Sequence, residues 1–305
     1  MSKLLIIGCG FSGMEIAKLA WEQGMTVIGT KRPKTLERVT QAPRGVMLSP
    51  FDAETSSSES LWEMLQTTSH LLISIAPDVG DGDLLLHHHR NVILNWLKGD
   101  QARWVGYLST TGIYGNHDGA WVDEQTPPKP TMNRTIMRLE TEQAWQAIIA
   151  DSGSNANLTL FRLAGIYGKG RNALESLTNG QKRRIFKAGQ FFSRIHHHDI
   201  ARFVCASIKQ TDDAEGGPSG AIKLYNLADD LPAPPHEVID YAAKLLNMEL
   251  PPMMDFETAS LTPMQRSFYN DNKRIKNDLI KQELGIDLKF PTYRDALDQL
   301  LKDYR

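Results

Sequence analysis

Three glycines, Gly8, Gly10 and Gly13, follow directly on the apolar run Leu4-Leu5-Ile6-Ile7 and precede Met14–Ala20, where apolar residues recur at helical spacing. A strand, a tight turn and a helix start are thereby compressed into one short stretch. In this G-x-G-x-x-G spacing, Gly8 is expected to make the turn and Gly10 to let the backbone approach a pyrophosphate. Gly13 is expected to let helix and strand pack. The amides and positive dipole end of the new helix then face the phosphates. Phe11 and Ser12 lie inside the loop and join the glycines as candidate cofactor contacts. The alternative is a glycine turn with a purely structural role.

The first half of the chain continues in the same rhythm. Strands are expected at 3–7, 26–30, 46–48, 71–75, 104–109 and 158–162, and helices at about 12–23, from 58–60, and at 84–98 and 132–150. Gly24 is placed to end the first helix. The βαβ order implies an α/β fold, a doubly wound parallel sheet with helices on both faces and right-handed crossovers. Residues 1–165 are read as the dinucleotide-binding core. Residues 166–305 are read as a smaller mixed α/β region that caps the substrate, with 196–228 returning a helix and a strand to the core. Within that region a hairpin is expected over 184–186 and 191–196, and helices at 199–209, 237–246, 272–283 and 292–302. A strand is expected at 222–227, and Thr292 with Asp295 reads as a capping box. The residues from Gly168 to Ser193 and beyond Asp229, with the loop 112–130, are expected to border the substrate pocket.

Composition narrows the function. The 305 residues are 41% hydrophobic and carry a formal net charge of −2, which gives no electrostatic footprint for a nucleic acid. No apolar run approaches the ~20 residues of a membrane span, so a small-molecule substrate is expected, with no nucleic-acid and no membrane partner. Two cysteines, Cys9 and Cys205, cannot build a disulfide framework. A reducing, cytoplasmic setting without a cleaved leader is therefore expected. Cys9 is read as a small side chain beneath the glycine loop.

The end of the second strand bears on the choice of coenzyme. An acid at that place holds the ribose hydroxyl in NAD-binding versions of such a unit. Here the sequence is Thr30-Lys31-Arg32. A carboxylate would repel a 2′-phosphate, whereas these two cations attract one, so NADP is favoured and NAD is the second choice. The competing view treats Lys31 and Arg32 as solvated loop residues.

From the fifth strand onward the chain resembles a known family. The segments that carry the likeness are Tyr107-Leu108-Ser109-Thr110-Thr111-Gly112-Ile113-Tyr114-Gly115, Val122-Asp123-Glu124 with Pro127, and Phe161-Arg162-Leu163-Ala164-Gly165-Ile166-Tyr167-Gly168. Further matches are Ile195-His196-His197-His198-Asp199-Ile200-Ala201, Asn272-Lys273-Arg274-Ile275, Glu283-Leu284-Gly285 and Pro291-Thr292-Tyr293-Arg294. Together they are similar to the extended short-chain dehydrogenase/reductases of the NAD-dependent epimerase/dehydratase type, with a Rossmann core. The glycine spacing is similar to the atypical subgroup. The resemblance spans nearly the whole chain. It implies cofactor contacts from the loop residues, Thr30, Lys31 and Arg32, and from Asp52, Ala76 and Pro77 at strand ends. It also implies a homodimer paired through the helices after strands four and five.

The same resemblance implies a Ser/Thr that orients substrate, a proton-transferring Tyr and a Lys one helical turn later. Thr110 stands at the first position. Counting back from Glu142 places Arg134 at the Tyr position and Arg138 at the Lys position. Arg138 can replace the charge of Lys. Arg134 has no proton to exchange at neutral pH, because a guanidinium pKa lies above ~12. Another group, with His117 foremost beside Tyr114, Asp118 and Glu124, would then handle the proton. Alternatively the two arginines hold an anion, or form a solvated helix face with Arg138 paired to Glu142. The expected function is an NADP-preferring oxidoreductase or epimerase/dehydratase-like enzyme on a small, sugar-like substrate. The alternative is a non-catalytic redox sensor or scaffold. The clusters His87-His88-His89 and His196-His197-His198 do not have the convergence that a metal needs, and no metal site is expected. The basic run Lys182-Arg183-Arg184 is read as a solvated turn.

Overall fold

The computed structural model describes residues 2–181 and 183–303, so Lys182 of the basic run lies outside the described residues. In chain order the first elements are β1 (Lys3–Ile7), α1 (Phe11–Glu22), β2 (Thr26–Lys31), α2 (Pro33–Leu36), β3 (Val46–Pro50), α3 (Ser58–Leu65), β4 (His70–Ile73), α4 (Leu84–Leu97) and β5 (Trp104–Thr110). A short 3-10 turn, Thr111–Tyr114, leads to β6 (Trp121–Val122), α5 (Asn133–Ser152), β7 (Asn157–Leu163), β8 (Gly165–Tyr167), α6 (Ala173–Thr178), β9 (Arg184–Phe186) and β10 (Arg194–His196). The chain continues through α7 (His197–Asp213), β11 (Ile222–Leu227), α8 (Pro235–Leu246), β12 (Met253–Asp255), α9 (Pro263–Ser267), β13 (Arg274–Ile275), α10 (Asp278–Leu284) and α11 (Tyr293–Asp303). The chain divides into two compact units: Met1–Ile113 with Pro130–Arg162 and Ile200–Tyr225, and Tyr114–Lys129 with Leu163–Asp199 and Asn226–Arg305.

The first unit is organised on a seven-stranded sheet in the order β11-β7-β5-β4-β1-β2-β3. Leu5 pairs with Ile28 on one side and Leu71 on the other, both in parallel register. The reversal of strand order beside β1 is the switch point of a doubly wound sheet, which places the mouth of the β1–α1 loop where ligands bind. Both faces of β1 are sealed: Leu4 and Ile6 as well as Leu5 are fully buried. Leu5, Leu71, Val105, Tyr107 and Leu158 join Trp96 and Trp145 in one core cluster. Continuous apolar strands of this kind are what a sheet covered on both sides requires. Gly24, at φ +90°, ends α1 as expected. Cys9 and Cys205 are both buried in this unit. No described helix is long and apolar enough to cross a membrane.

The second unit is built from short pairings. β10 lies parallel to β8, β12 to β9 and β13 to β6. Tyr167, Leu174, Ala242, Ala296 and Leu297 fill its core. Two expectations are corrected here. The segment 184–196 is not a hairpin: Gly189 does turn the chain at φ +69°. Its flanks then part, Arg184 pairing with Met253 and Arg194 with Gly165. Nor is 272–283 one helix. Arg274–Ile275 is a strand and the helix begins only at Asp278. Asn272 is bound too heavily to enter a helix: its amide donates to Asn116 Oδ1 at 2.9 Å and its side chain to Gly189 O at 2.8 Å. The Thr292–Asp295 box forms, with the Thr292 amide 3.0 Å from Asp295 Oδ2 and the Asp295 amide 3.4 Å from Thr292 Oγ1.

Candidate functional site

The glycine loop is fixed from two sides. The Gly8 amide donates to Thr30 Oγ1 at 3.0 Å and the Cys9 amide to Thr30 O at 2.7 Å. Thr30 is buried and holds the loop. Gly8 has φ +87°, and a Cβ there would stand 2.5 Å from Ile75 Cγ2. At Gly13 a Cβ would lie 3.2 Å from Gly8 O, the close helix–strand packing that the spacing predicts. Gly10 differs: its φ is negative, at −85°, and the nearest atom to an added Cβ is 3.9 Å away. An added Cβ would meet no side chain there, and a diphosphate lying against the loop would use the space that glycine leaves. The first turn of α1 has no side-chain cap and no acid, while Ser57, Asp83 and Asn172 cap α3, α4 and α6. A positive helix end behind a glycine that leaves room fits the diphosphate of a nicotinamide dinucleotide.

Lys31 is half-buried at the end of β2 and Arg32 is exposed beyond it. Neither side chain makes a hydrogen bond or ion pair with a described residue. Burial pushes the Cys9 thiol up to about 11, partly offset by the charge of Lys31. Asp52 Oδ1 accepts from the Glu54 amide at 3.1 Å, closing a small turn after β3. Ala76 is exposed and Pro77 half-buried beyond β4.

Thr110, half-buried at the end of β5, accepts from the Gly112 amide at 3.1 Å, which leaves its hydroxyl hydrogen to donate. Arg138 is locked by one nitrogen. Its Nη1 donates to Tyr107 Oη and Leu108 O at 2.9 Å and reaches Ile75 O at 3.4 Å. Its guanidinium stands 5.6 Å from the Tyr107 ring centre. Burial pushes the Tyr107 hydroxyl up to about 12 against the pull of Arg138, so it stays protonated. The alternative pairing of Arg138 with Glu142 is corrected. Glu142 instead takes two bonds from Arg162, at 2.8 and 3.2 Å, and one from Ser109 Oγ at 2.5 Å. Arg134 lies half-buried one turn before Arg138 on α5.

No family model matches the chain, and no curated protein matches it. Solved structures do. A conserved protein of unknown function from Silicibacter pomeroyi DSS is 44% identical, over 99% of this chain and 99% of its own, with a TM-score of 0.86. An assigned NAD-dependent epimerase/dehydratase from Methylobacillus flagellatus is 26% identical over 99% and 98% of the two chains, with a TM-score of 0.73. A dTDP-glucose 4,6-dehydratase from Bacillus anthracis str. Ames, in complex with NAD, shares the fold at 15% identity, over 100% and 96%, with a TM-score of 0.76. The chain's solved neighbours are thus members of the NAD-dependent epimerase/dehydratase family, and the chain shares their Rossmann-type fold over its full length.

The loop candidates fall in the second unit. His117 Nε2 lies 3.0 Å from Tyr114 O. A carbonyl only accepts, so Nε2 carries the proton and Nδ1 is the basic nitrogen. Tyr114 is fully buried and donates to Asn226 Oδ1 at 2.8 Å, and Glu124 accepts from the Asn226 amide at 2.8 Å. Both brace the fold. In the first histidine cluster His89 is buried on Ser58 Oγ at 2.9 Å and Ala53 O at 3.0 Å, while His87 and His88 are exposed. Sequence reasoning missed Tyr107 as the anchor of Arg138 and Arg162 as the partner of Glu142. Both are side chains of buried strands, where apolar periodicity masks a polar role.

Proposed function

We propose that this protein is an NADP-preferring oxidoreductase or epimerase/dehydratase-like enzyme for a small, sugar-like substrate, working without the usual Tyr-x-x-x-Lys pair. One observation carries the reading: two cations whose side chains make no hydrogen bond or ion pair with a described residue stand at the end of β2, in the same unit as a glycine loop that leaves room at Gly10. When bound, the dinucleotide supplies hydride acceptance and return. The amides at the start of α1 hold the diphosphate, and Lys31 and Arg32 take the 2′-phosphate. Asp52, Ala76 and Pro77 border the coenzyme. Thr110 donates its hydroxyl hydrogen to a substrate oxygen. Arg138 presents its remaining nitrogens to the nicotinamide ribose or to an anion, its orientation fixed by Tyr107 and Leu108. Arg134 adds charge and moves no proton. His117, with Nδ1 as its basic nitrogen, is the proton-handling candidate. Arg134 at the Tyr position also favours a second reading, a coenzyme-binding sensor without turnover.

Fluorescence titration with NADPH and NADH tests the coenzyme assignment. NADPH is expected to bind at least about tenfold tighter, and the Lys31→Ala, Arg32→Ala double variant to lose that preference while keeping NADH affinity. Equal or tighter NADH binding in the parent protein overturns it. NADPH oxidation with sugars, aldehydes and ketones then separates the two readings: silence despite tight coenzyme binding favours the sensor.

A further inference from the structure

The second unit holds a cavity of about 190 Å³ that the reading above does not use. Its wall is apolar at Val238, Ile239 and Leu297 and polar at Tyr167, Arg194 and Tyr293. Two of these polar groups are under-satisfied. Tyr167 is 8% exposed, and its hydroxyl has no hydrogen-bond partner among the described residues. A phenol buried in that way ordinarily carries a partner. Arg194 uses one nitrogen only: Nη1 donates to Phe192 O at 2.8 Å and Ala233 O at 3.2 Å. Nε and Nη2 bond to no described residue, leaving one planar edge of the guanidinium open.

The local acids do not fill that edge. Asp199 accepts the Lys289 and Phe290 amides at 2.7 and 3.0 Å. Asp229 acts on Arg194 by charge, yet its Oδ1 accepts only from the Leu231 amide at 3.3 Å, and its Oδ2 has no partner among the described residues. Burial pushes the Asp229 carboxyl up to about 8 against the pull of Arg194, so at neutral pH it compensates the guanidinium only in part.

We propose that this cavity binds a small organic carboxylate, its two oxygens taken by the open edge of Arg194 and the hydroxyl of Tyr167, and its apolar body lying against Val238, Ile239 and Leu297. A planar two-donor edge matches a carboxylate. A phosphate dianion has more acceptor sites than one edge and one hydroxyl serve. A dry cavity of about 150 Å³ accommodates benzene, so the size suits a benzoate or a six-carbon acid.

Calorimetric titration of the full chain tests this with benzoate and hexanoate, against benzyl alcohol, hexanol and inorganic phosphate. At least one acid is expected to bind saturably, and the alcohols and phosphate are not. Tyr167→Phe keeps the ring and is expected to weaken the acid about tenfold, the worth of one hydrogen bond. Arg194→Met is expected to abolish binding. Because that second change removes a buried cation and can unfold the unit, Tyr167→Phe decides. The proposal is overturned if neither acid binds, if the alcohols or phosphate bind as well as the acids, or if Tyr167→Phe leaves the acid affinity unchanged.

Discussion

Gly8 and Gly10 stand two positions apart and answer to different constraints. Gly8 combines a left-handed backbone with a Cβ position 2.5 Å from Ile75 Cγ2, so Gly8→Ala should cost roughly 1–3 kcal/mol of stability in urea unfolding. Gly10→Ala should leave stability within about 0.5 kcal/mol and yet weaken NADPH binding about tenfold or more. Loss of stability without loss of binding at Gly10 would remove the case for a diphosphate there. Asp229 gives a pH signature. Its unfolded carboxyl releases its proton near ~3.9, while the folded one holds it to about 8. Between those values the folded state binds the extra proton, so stability falls as pH rises, by roughly 3–4 kcal/mol at most from pH 5 to 8. Asp229→Asn should flatten that slope in urea titrations at the two pH values; an unchanged slope would assign it elsewhere. The glycine loop was legible in the sequence because its turn and helix start are local, as the left-handed φ at Gly8 and the approach of Gly13 to Gly8 O show, although the contact of Gly8 with Ile75 was not. The partner of Glu142 was not. Helical spacing offers Arg138 four residues away, whereas Arg162 comes from β7 and takes the carboxylate with two nitrogens.

Helix ends show the same contrast between elements. Asp83 caps α4 through the Leu86 amide at 2.9 Å and binds the Trp145 indole of α5 at 3.0 Å. One carboxylate therefore joins two helices over the core, and burial holds its pKa above the usual range. Asp83→Ala should cost about 2–4 kcal/mol in thermal unfolding, since it loses a cap and strands a buried indole N–H. A change below about 0.5 kcal/mol would mean that the indole finds another acceptor. The strands of the first unit were legible because each is an apolar run bounded by turns. The two- and three-residue strands of the second unit were not: β9 finds β12 and β6 finds β13 across long separations. No local pattern encodes such a partner. The turn at Gly189 was readable, and only the assumption that its two arms pair with each other failed.

At the scale of the whole molecule, the alternation of strand and helix foretold the doubly wound sheet and the return of β11 to its edge. The cavity beside Arg194 was invisible, because its walls come from β8, α6, β10, α8 and α11, which no motif connects. The placement of the thiols has a practical outcome. Cys9 and Cys205 are 0% and 2% exposed, burial pushes them up to about 11 and 12, and both belong to the first unit. A maleimide added to the native protein at neutral pH should therefore find almost no thiolate. Labelling would proceed only as fast as that unit opens, and should slow further under saturating NADPH. Rapid labelling of both thiols would contradict their burial. The chain thus carries a built-in stopwatch for one of its halves, and events confined to the other half would leave it unstarted.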